Sequence, residues 1–401
     1  MKPLLTGKRI LLGVTGSISA YKAATLASRL TQQGALVDVI LTQNGSKLIG
    51  AAAFEGVTHR KCHTGCFECP WDWEQSHVTL GSKADLAIVA PCSANMLAKI
   101  AHGIADDKLS TTMLAVQCPV IIAPAMNVLM YENAATQANI AILRARGMEV
   151  IEPESGHLAC GFAGKGRMPE PEDLLEIVLQ KLAMDKVLLG KRVLVTAGAT
   201  REAIDDVRCI TNPSTGKMGY ACAKAARMAG AEVTLISAPT SLKEPSGVHV
   251  LPVVSAQDMA NAVFKEAENA DIVIMAAAVS DFTPVKRELG KIHKTDAALQ
   301  IELKHTTDIL KGLGENKRPS QFLCGFCMET DALIARAKQK LEQKNLDMIV
   351  ANDLSQPGCG FAGDTNGVTI ITPQTMRTLE VADKLEIAIE IISAIAPFYA
   401  C

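Results

Sequence analysis

Several clusters in the first half of the sequence combine small, polar and ionisable residues in patterns that suit ligand binding or proton movement. Gly13-Val-Thr-Gly16-Ser17-Ile-Ser19 joins an apolar run to a helical pattern, where free backbone N–H groups and the helix dipole favour a phosphate. Ala90-Pro-Cys-Ser93-Ala-Asn95, followed by Gly103-Ile-Ala-Asp106-Asp107, sets short polar side chains after a second apolar run, as a flat ligand in a sheet crevice requires. Ser76-His77 carries an imidazole that titrates near neutrality, and Pro124-Ala-Met-Asn127 an amide that orients a carboxylate without charge. The glycine-rich run from Gly156 to Gly166 encloses Cys160 and Gly161 and leads into Arg167-Met168-Pro169; it reads as a mobile flap. Taken singly, each cluster equally fits an ordinary turn, a helix cap or a structural residue.

The second half repeats the theme. Thr196-Ala-Gly198-Ala-Thr200-Arg201-Glu202 follows an apolar run, and Ile210-Thr-Asn212-Pro-Ser214-Thr-Gly216-Lys217-Met-Gly219 precedes a helical one; both suit an oxyanion. Neither is the P-loop pattern. Ala276-Ala277-Ala-Val-Ser-Asp281-Phe ends a buried run at a carboxylate, and Lys291-Ile-His293-Lys294 supplies cations soon after. Asp281 could hold Mg²⁺ against a triphosphate while Lys291 neutralises charge building on the α-phosphate. A surface Asp beside a solvated charge cluster is the alternative. Cys62-x3-Cys66-x2-Cys69, with His63 between, has the spacing of a zinc or iron–sulfur site and equally of a surface loop with free thiols.

These clusters need elements to hold them. Short β-branched runs alternate with longer helical stretches, which predicts parallel sheets covered by helices. In the first half, strands are expected at 9–14, 35–42, 86–90, 119–123 and 149–151, and helices at about 19–32, 95–104 and 133–146. In the second half, strands are expected at 193–196, 232–237, 249–253, 272–276, 322–326, 348–351 and 368–371, with a helix at about 217–229. Gly7-Lys-Arg-Ile-Leu11 is echoed by Gly190-Lys-Arg-Val-Leu194, so a second domain is expected to start there, giving domains 1–189 and 190–401.

Composition narrows the function. The 401 residues are 48% hydrophobic and 20% charged, with 40 Lys+Arg against 42 Asp+Glu and a net charge of −2, which argues for folded domains and against a polyanion-binding surface. At 4%, aromatics are too few for base-stacking platforms. Residues 109–131 carry no Asp, Lys or Arg but include Pro119, Pro124, Gln117 and Asn127; they read as helix, buried strand and loop, so no membrane partner is expected. Scattered cysteines, 12 in all, and an apolar run of only five residues after Arg9 fit a cytoplasmic protein better than a secreted one. Gly-x-Gly-x-x-Gly is missing after the first strand and Thr42-Gln43 ends the second, which disfavours a nicotinamide oxidoreductase.

Together these residues resemble the bifunctional phosphopantothenoylcysteine decarboxylase and phosphopantothenate–cysteine ligase family of coenzyme A biosynthesis, over nearly the whole chain. The resemblance implies two Rossmann-like domains: a flavodoxin-like domain of the flavin-containing cysteine decarboxylases and a CTP-dependent ligase domain. In the first, it implies FMN held by Gly16, Ser17, Thr42, Ser93 and Asn95. His77 would be the base, Asn127 the carboxylate holder and Cys160 the proton donor, with Gly161, Arg167 and Met168 in the substrate flap. In the second, the loop 210–219 with Asn212 would handle 4'-phosphopantothenate and its acyl-cytidylate, beside the catalytic Lys291 at the α-phosphate. CTP would meet Met275, Ala276, Ala277, Asp281, Thr307, Asp308, Ile309, Leu310, Phe326, Lys340 and Lys344, the two last being one helical turn apart. L-Cysteine is then the second ligase substrate, and phosphopantothenoylcysteine the decarboxylase substrate. Ala199, His293 and Thr306-Thr307 depart from the family pattern. A homo-oligomer is expected, up to a dodecamer of decarboxylase trimers and ligase dimers with flavin at a subunit boundary. A flavin-binding regulatory protein of the same fold is the alternative.

Overall fold

A computed structural model describes residues 3–65, 76–157, 163–293, 299–329, 332–353 and 363–399. The chain divides into two units, Lys2–Ala183 and Met184–Cys401. The division falls before residue 189 because Leu188, fully buried, packs in the core of the second unit. Among the described residues no helix is long and apolar enough to cross a membrane.

In the first unit, strands β1 (Arg9–Val14), β2 (Leu36–Leu41), β3 (Cys62–His63), β4 (Leu86–Cys92), β5 (Val120–Pro124) and β6 (Glu149–Val150) form one sheet in the order β3-β2-β1-β4-β5-β6. Every pair is parallel. Without the two-residue edge strand β3, the remaining strands in chain order read 2-1-3-4-5, the flavodoxin arrangement. Helices α1 (Ala20–Gln32), α2 (Ala51–Thr58), α3 (His77–Lys83), α4 (Ala94–His102), α5 (Lys108–Ala115), α6 (Val128–Glu132), α7 (Ala134–Ala145) and α8 (Pro171–Leu182) complete it. The 9–14 strand is as expected, and most other bounds move by a residue or two. Two expectations change. Residues 128–132 form a helix rather than a loop, because Asn127 accepts from the Leu129 amide at 2.8 Å and starts it. The flap contains an antiparallel hairpin, β7 (Glu154–His157) with β8 (Ala163–Arg167).

The second unit holds β9 (Arg192–Ala197), hairpin strands β10 (Arg201–Ala203) and β11 (Cys209–Thr211), then β12 (Glu232–Ser237), β13 (His249–Pro252) and β14 (Ile272–Met275). A second hairpin, β15 (Phe282–Pro284) with β16 (Leu303–His305), precedes β17 (Phe322–Glu329), β18 (Met348–Asp353), β19 (Thr365–Ile371) and β20 (Met376–Asp383). The main sheet runs β13-β12-β9-β14-β17-β18-β19-β20. Its first six strands are parallel and repeat the doubly wound order; β19 and β20 extend it antiparallel, an edge beyond the expected parallel sheet.

Alternation along these strands sends side chains to two cores, as a sheet covered on both faces requires. Val193, Val195, Ile272, Ile274 and Cys324 pack with α9 (Lys217–Met228) and α13 (Lys384–Ile395). Leu194, Val273, Met275 and Leu323 face α10 (Ala256–Ala267), α11 (Ile309–Glu315) and α12 (Leu333–Gln343).

Helix α9 lies unusually close to β9. A Cβ on Gly219 would sit 2.6 Å from both the Ala197 Cβ and the Thr196 carbonyl oxygen. Gly219→Ala is therefore expected to destabilise the second unit by about 1–3 kcal/mol, read as a lower denaturant midpoint for that unit with an unchanged slope.

Candidate functional site

Each doubly wound sheet changes direction between its first and fourth strands, and that edge opens a crevice at the carboxyl ends. In the first unit the switch lies between β1 and β4. Thr15, 1% exposed, bridges it: its hydroxyl donates to the Pro91 carbonyl at 2.7 Å and accepts from the Ser93 amide at 2.9 Å. Gly16 and Ser17 follow β1, Thr42 follows β2, Ser93 and Asn95 follow β4, and Asn127 follows β5. The topology thus sets all six predicted positions along one sheet edge.

Their local roles differ. Thr42 builds its own turn, its hydroxyl accepting from the Gly45 amide at 3.2 Å. A Cβ on Gly16 would fall 2.6 Å from that of Asn44, so this loop needs glycine there. Ser93 caps α4, accepting from the Met96 amide, while Asn95 is exposed. Helix α1 has no side-chain cap and no acidic residue in its first turn, which leaves its amino end electropositive. Beside Ser93, Cys92 is fully buried, and burial pushes its thiol far above the usual range.

The β7–β8 hairpin docks on the Asn127 turn. The Met126 amide donates to the Gly166 carbonyl at 3.1 Å, and a Cβ on Gly164 would meet Val128 at 2.7 Å. Met168 is buried, and its carbonyl accepts from the Lys22 ammonium at 3.0 Å. Arg167 is half-exposed, 3.6 Å from Glu170. Cys160 and Gly161 lie outside the described residues, as do Cys66 and Cys69. Cys62 is buried in β3, and His63 Nδ1 lies 3.3 Å from the Lys108 ammonium. His77 is exposed at the first position of α3, where Ser76 supplies the cap.

In the second unit the switch lies between β9 and β14, and a cleft of about 780 Å³ opens there. Two buried threonines brace lining residues from behind: Thr196 accepts from the Ala277 amide at 3.1 Å and Thr200 from the Ser280 amide at 2.9 Å. Asn212 donates to the Ala278 carbonyl at 3.3 Å and lines the cleft. Met275, Ala276, Ala277 and Asp281 line it from the β14 side. Thr307, Asp308, Ile309 and Leu310 line it at the start of α11, together with Phe326, Lys340 and Lys344. The Lys344 ammonium pairs with Asp308 at 2.9 Å. Burial raises the Asp308 carboxyl, and the Lys344 charge and the Lys311 amide outweigh it, leaving the pKa below the usual carboxylate range.

A family described as Flavoprotein matches residues 2–183, and the DNA/pantothenate metabolism flavoprotein C-terminal domain matches 188–398. The coenzyme A biosynthesis bifunctional protein CoaBC of Bacillus subtilis (strain 168) is 47% identical over 397 residues, 98% of each chain. That of Vibrio vulnificus (strain YJ016) is 41% identical over 393 residues, again 98% of each. The chain belongs to this bifunctional coenzyme A biosynthesis family. A crystal structure of the C-terminal domain of such a protein is 43% identical, covering 53% of this chain and 97% of that one with a TM-score of 0.46.

Among the candidates of the second unit, Lys291 stands apart. Lys291 is exposed and does not line the cleft. Its segment is anchored elsewhere, the Ile292 amide donating to Asp205 at 3.1 Å and the Gly290 amide to Asp206 at 2.9 Å. Conversely, the cleft includes Lys217, His305, Asn352, Asn366 and Lys384, to which the sequence reading gave no role. Lys217 stood in the quoted glycine-rich run; the others sit at strand or helix ends whose place at this edge only the sheet order reveals.

Burial raises the Asp205 carboxyl, but the amides of Val207, Ile292 and Arg208, with the Arg208 guanidinium, bring it to about 2. Because the folded pKa is depressed, the anchor is at full strength above the unfolded value near 4. It is lost as the pH falls through about 2. Asp205→Ala is expected to raise the hydrogen-exchange rate of the Ile292 amide about tenfold or more at neutral pH.

Proposed function

We propose that the first unit is an FMN-dependent phosphopantothenoylcysteine decarboxylase and the second a CTP-dependent phosphopantothenate–cysteine ligase, acting on successive intermediates. The observation that carries this reading is that Gly16, Ser17, Thr42, Ser93, Asn95 and Asn127 follow strands along one edge of the first sheet while Asn212, Asp281 and residues 275–277 and 307–310 line the cleft of the second, in a chain of this family.

In the first unit the chemistry of the edge fits a flavin mononucleotide. The uncapped amino end of α1 suits its phosphate, with Gly16 and Ser17 beside it and Thr42, Ser93 and Asn95 along the same edge. When bound, FMN supplies the two-electron redox chemistry that makes loss of the carboxylate easy. The protein's own residues orient and move protons: Asn127 holds the substrate carboxylate, His77 takes a proton, and Cys160 returns one to the product. Asn127 suits its role because α6 and the docked hairpin fix its turn.

In the second unit, CTP and 4'-phosphopantothenate share the cleft. The phosphopantothenate carboxylate attacks the α-phosphate, pyrophosphate leaves, and the amine of L-cysteine then displaces CMP from the acyl-cytidylate to form the amide. Asn212 orients the acyl group. The Asp281 carboxylate has no ion-pair or hydrogen-bond partner among the described residues and lines the cleft, which suits Mg²⁺ carried with the triphosphate. Lys291 acts at the α-phosphate if its segment swings in from the Asp205 anchor. The protein acts as a homo-oligomer in the cytoplasm on this reading.

Mass spectrometry of the full chain supplied with phosphopantothenate, cysteine, CTP and Mg²⁺ is expected to show 4'-phosphopantetheine. Asn212→Asp should lower amide formation about 100-fold or more while supplied phosphopantothenoylcysteine is still decarboxylated. Cys160→Ser should do the reverse, and loss of both activities from either change would refute two separable sites.

A further inference from the structure

The first unit buries a cation that none of its proposed steps uses. Helix α1 turns Ala20, Ala23, Leu26, Ala27 and Leu30 inward, and Lys22, only 6% exposed, lies on the same buried stripe. An ammonium in such a place is costly unless it is paired and hydrogen-bonded. Here it donates to the Met168 carbonyl at 3.0 Å and to Oε1 of Glu170 at 2.8 Å. Both partners lie between β8 and α8, where the hairpin ends. Lys22 therefore reaches from α1 to the exit of the flap.

The residue between its two anchors is an arginine. On one side of Arg167, the Gly166 carbonyl accepts from the Met126 amide, and a Cβ on Gly166 would overlap the Met126 carbonyl oxygen, so β8 runs hard against the Asn127 turn. On the other side stands the Lys22 clamp. The Arg167 guanidinium crosses β7, its Nη1 lying 2.9 Å from where a Gly156 Cβ would be. Its Nη2 lies 3.6 Å from Glu170 Oε1, the same oxygen that Lys22 holds at 2.8 Å. That separation is too long for a hydrogen bond. Glu170 stands at the cap position of α8 but its side chain makes no cap bond, and Pro171 opens the helix. The carboxylate thus serves cations alone, and Lys22 takes it. With its oxygen occupied, Glu170 does not draw Arg167 into the bidentate pair that an arginine and a carboxylate otherwise form.

We propose that Lys22 is a positioning residue for the substrate flap: it fixes the hairpin's exit at Met168 and occupies Glu170, which leaves the Arg167 guanidinium to bind an oxyanion of the substrate. This rests on the decarboxylase reading, whose substrate carries a carboxylate and a phosphate. Without the Lys22 charge, Glu170 captures Arg167 and the flap loses its grip on the substrate. Removing the Glu170 charge as well sets Arg167 free again.

The test is steady-state decarboxylation of phosphopantothenoylcysteine by the full chain, with ligase turnover of the same preparation as the internal control. Lys22→Met is expected to raise the decarboxylase KM about tenfold or more while kcat stays within about threefold. Lys22→Arg should recover most of the loss. Adding Glu170→Gln to Lys22→Met should bring the KM back to within about threefold of wild type, whereas a mere structural staple would be weakened further by losing its second half. Pantothenoylcysteine, which lacks the phosphate, identifies the oxyanion: the Lys22→Met effect persists with it if Arg167 binds the carboxylate and vanishes if it binds the phosphate. An unchanged KM in Lys22→Met, or a double variant no better than the single one, overturns the proposal alone. A wild-type chain inert toward phosphopantothenoylcysteine overturns the decarboxylase reading itself. Lys22→Gln keeps a donor on the side chain and removes the charge, so the same KM rise and the same rescue are read from it if Lys22→Met fails to fold.

Discussion

In both units a buried threonine hydroxyl just past the first sheet strand ties down the backbone just past the fourth. Thr15 bridges Pro91 and Ser93 in one, and Thr200 accepts from Ser280 in the other. Parallel strands diverge into separate connections at this switch point, so the crevice would otherwise be bordered by two independent loops. The hydroxyl makes them one rigid border. A side chain that both donates and accepts in a dry setting specifies geometry strongly, because any displacement strands a buried polar group. Ser93, and Ser280 just before Asp281, are held directly by that constraint.

Around the second border, charge is distributed by face. The α11–α12 side holds a balanced set in which Lys344 and Asp308 cancel. The α9–α13 side brings Lys217, paired with Asp364, and the buried Lys384 to the cleft. Sheet alternation produces this asymmetry, since residues on the two faces belong to different helices and different cores.

The parallel elements were legible because uncharged β-branched runs between helical periods leave few readings; β12 and the 9–14 strand needed no correction. The extension β19–β20 was only half visible. β20, Met376–Asp383, alternates charged and apolar residues on an exposed edge and offers no buried run to find. The flap hairpin escaped for a similar reason, its glycines signalling mobility while pairing actually holds 154–157 against 163–167. Site residues on loops after strands were readable from motif chemistry, Asn127 and Asn212 among them. Lys384 was not, because an Asp-Lys pair opening a helix looks like any solvated helix start until the sheet order brings it to the cleft.

Cys92 ends β4 one residue before Ser93, at the border of a site proposed to handle a thiol-bearing substrate. Thiol–disulfide exchange requires a thiolate that can reach the partner sulfur. Enclosure without a nearby cation holds Cys92 in its protonated form. The sulfur is thereby withdrawn from exchange with any disulfide that reaches that strand end.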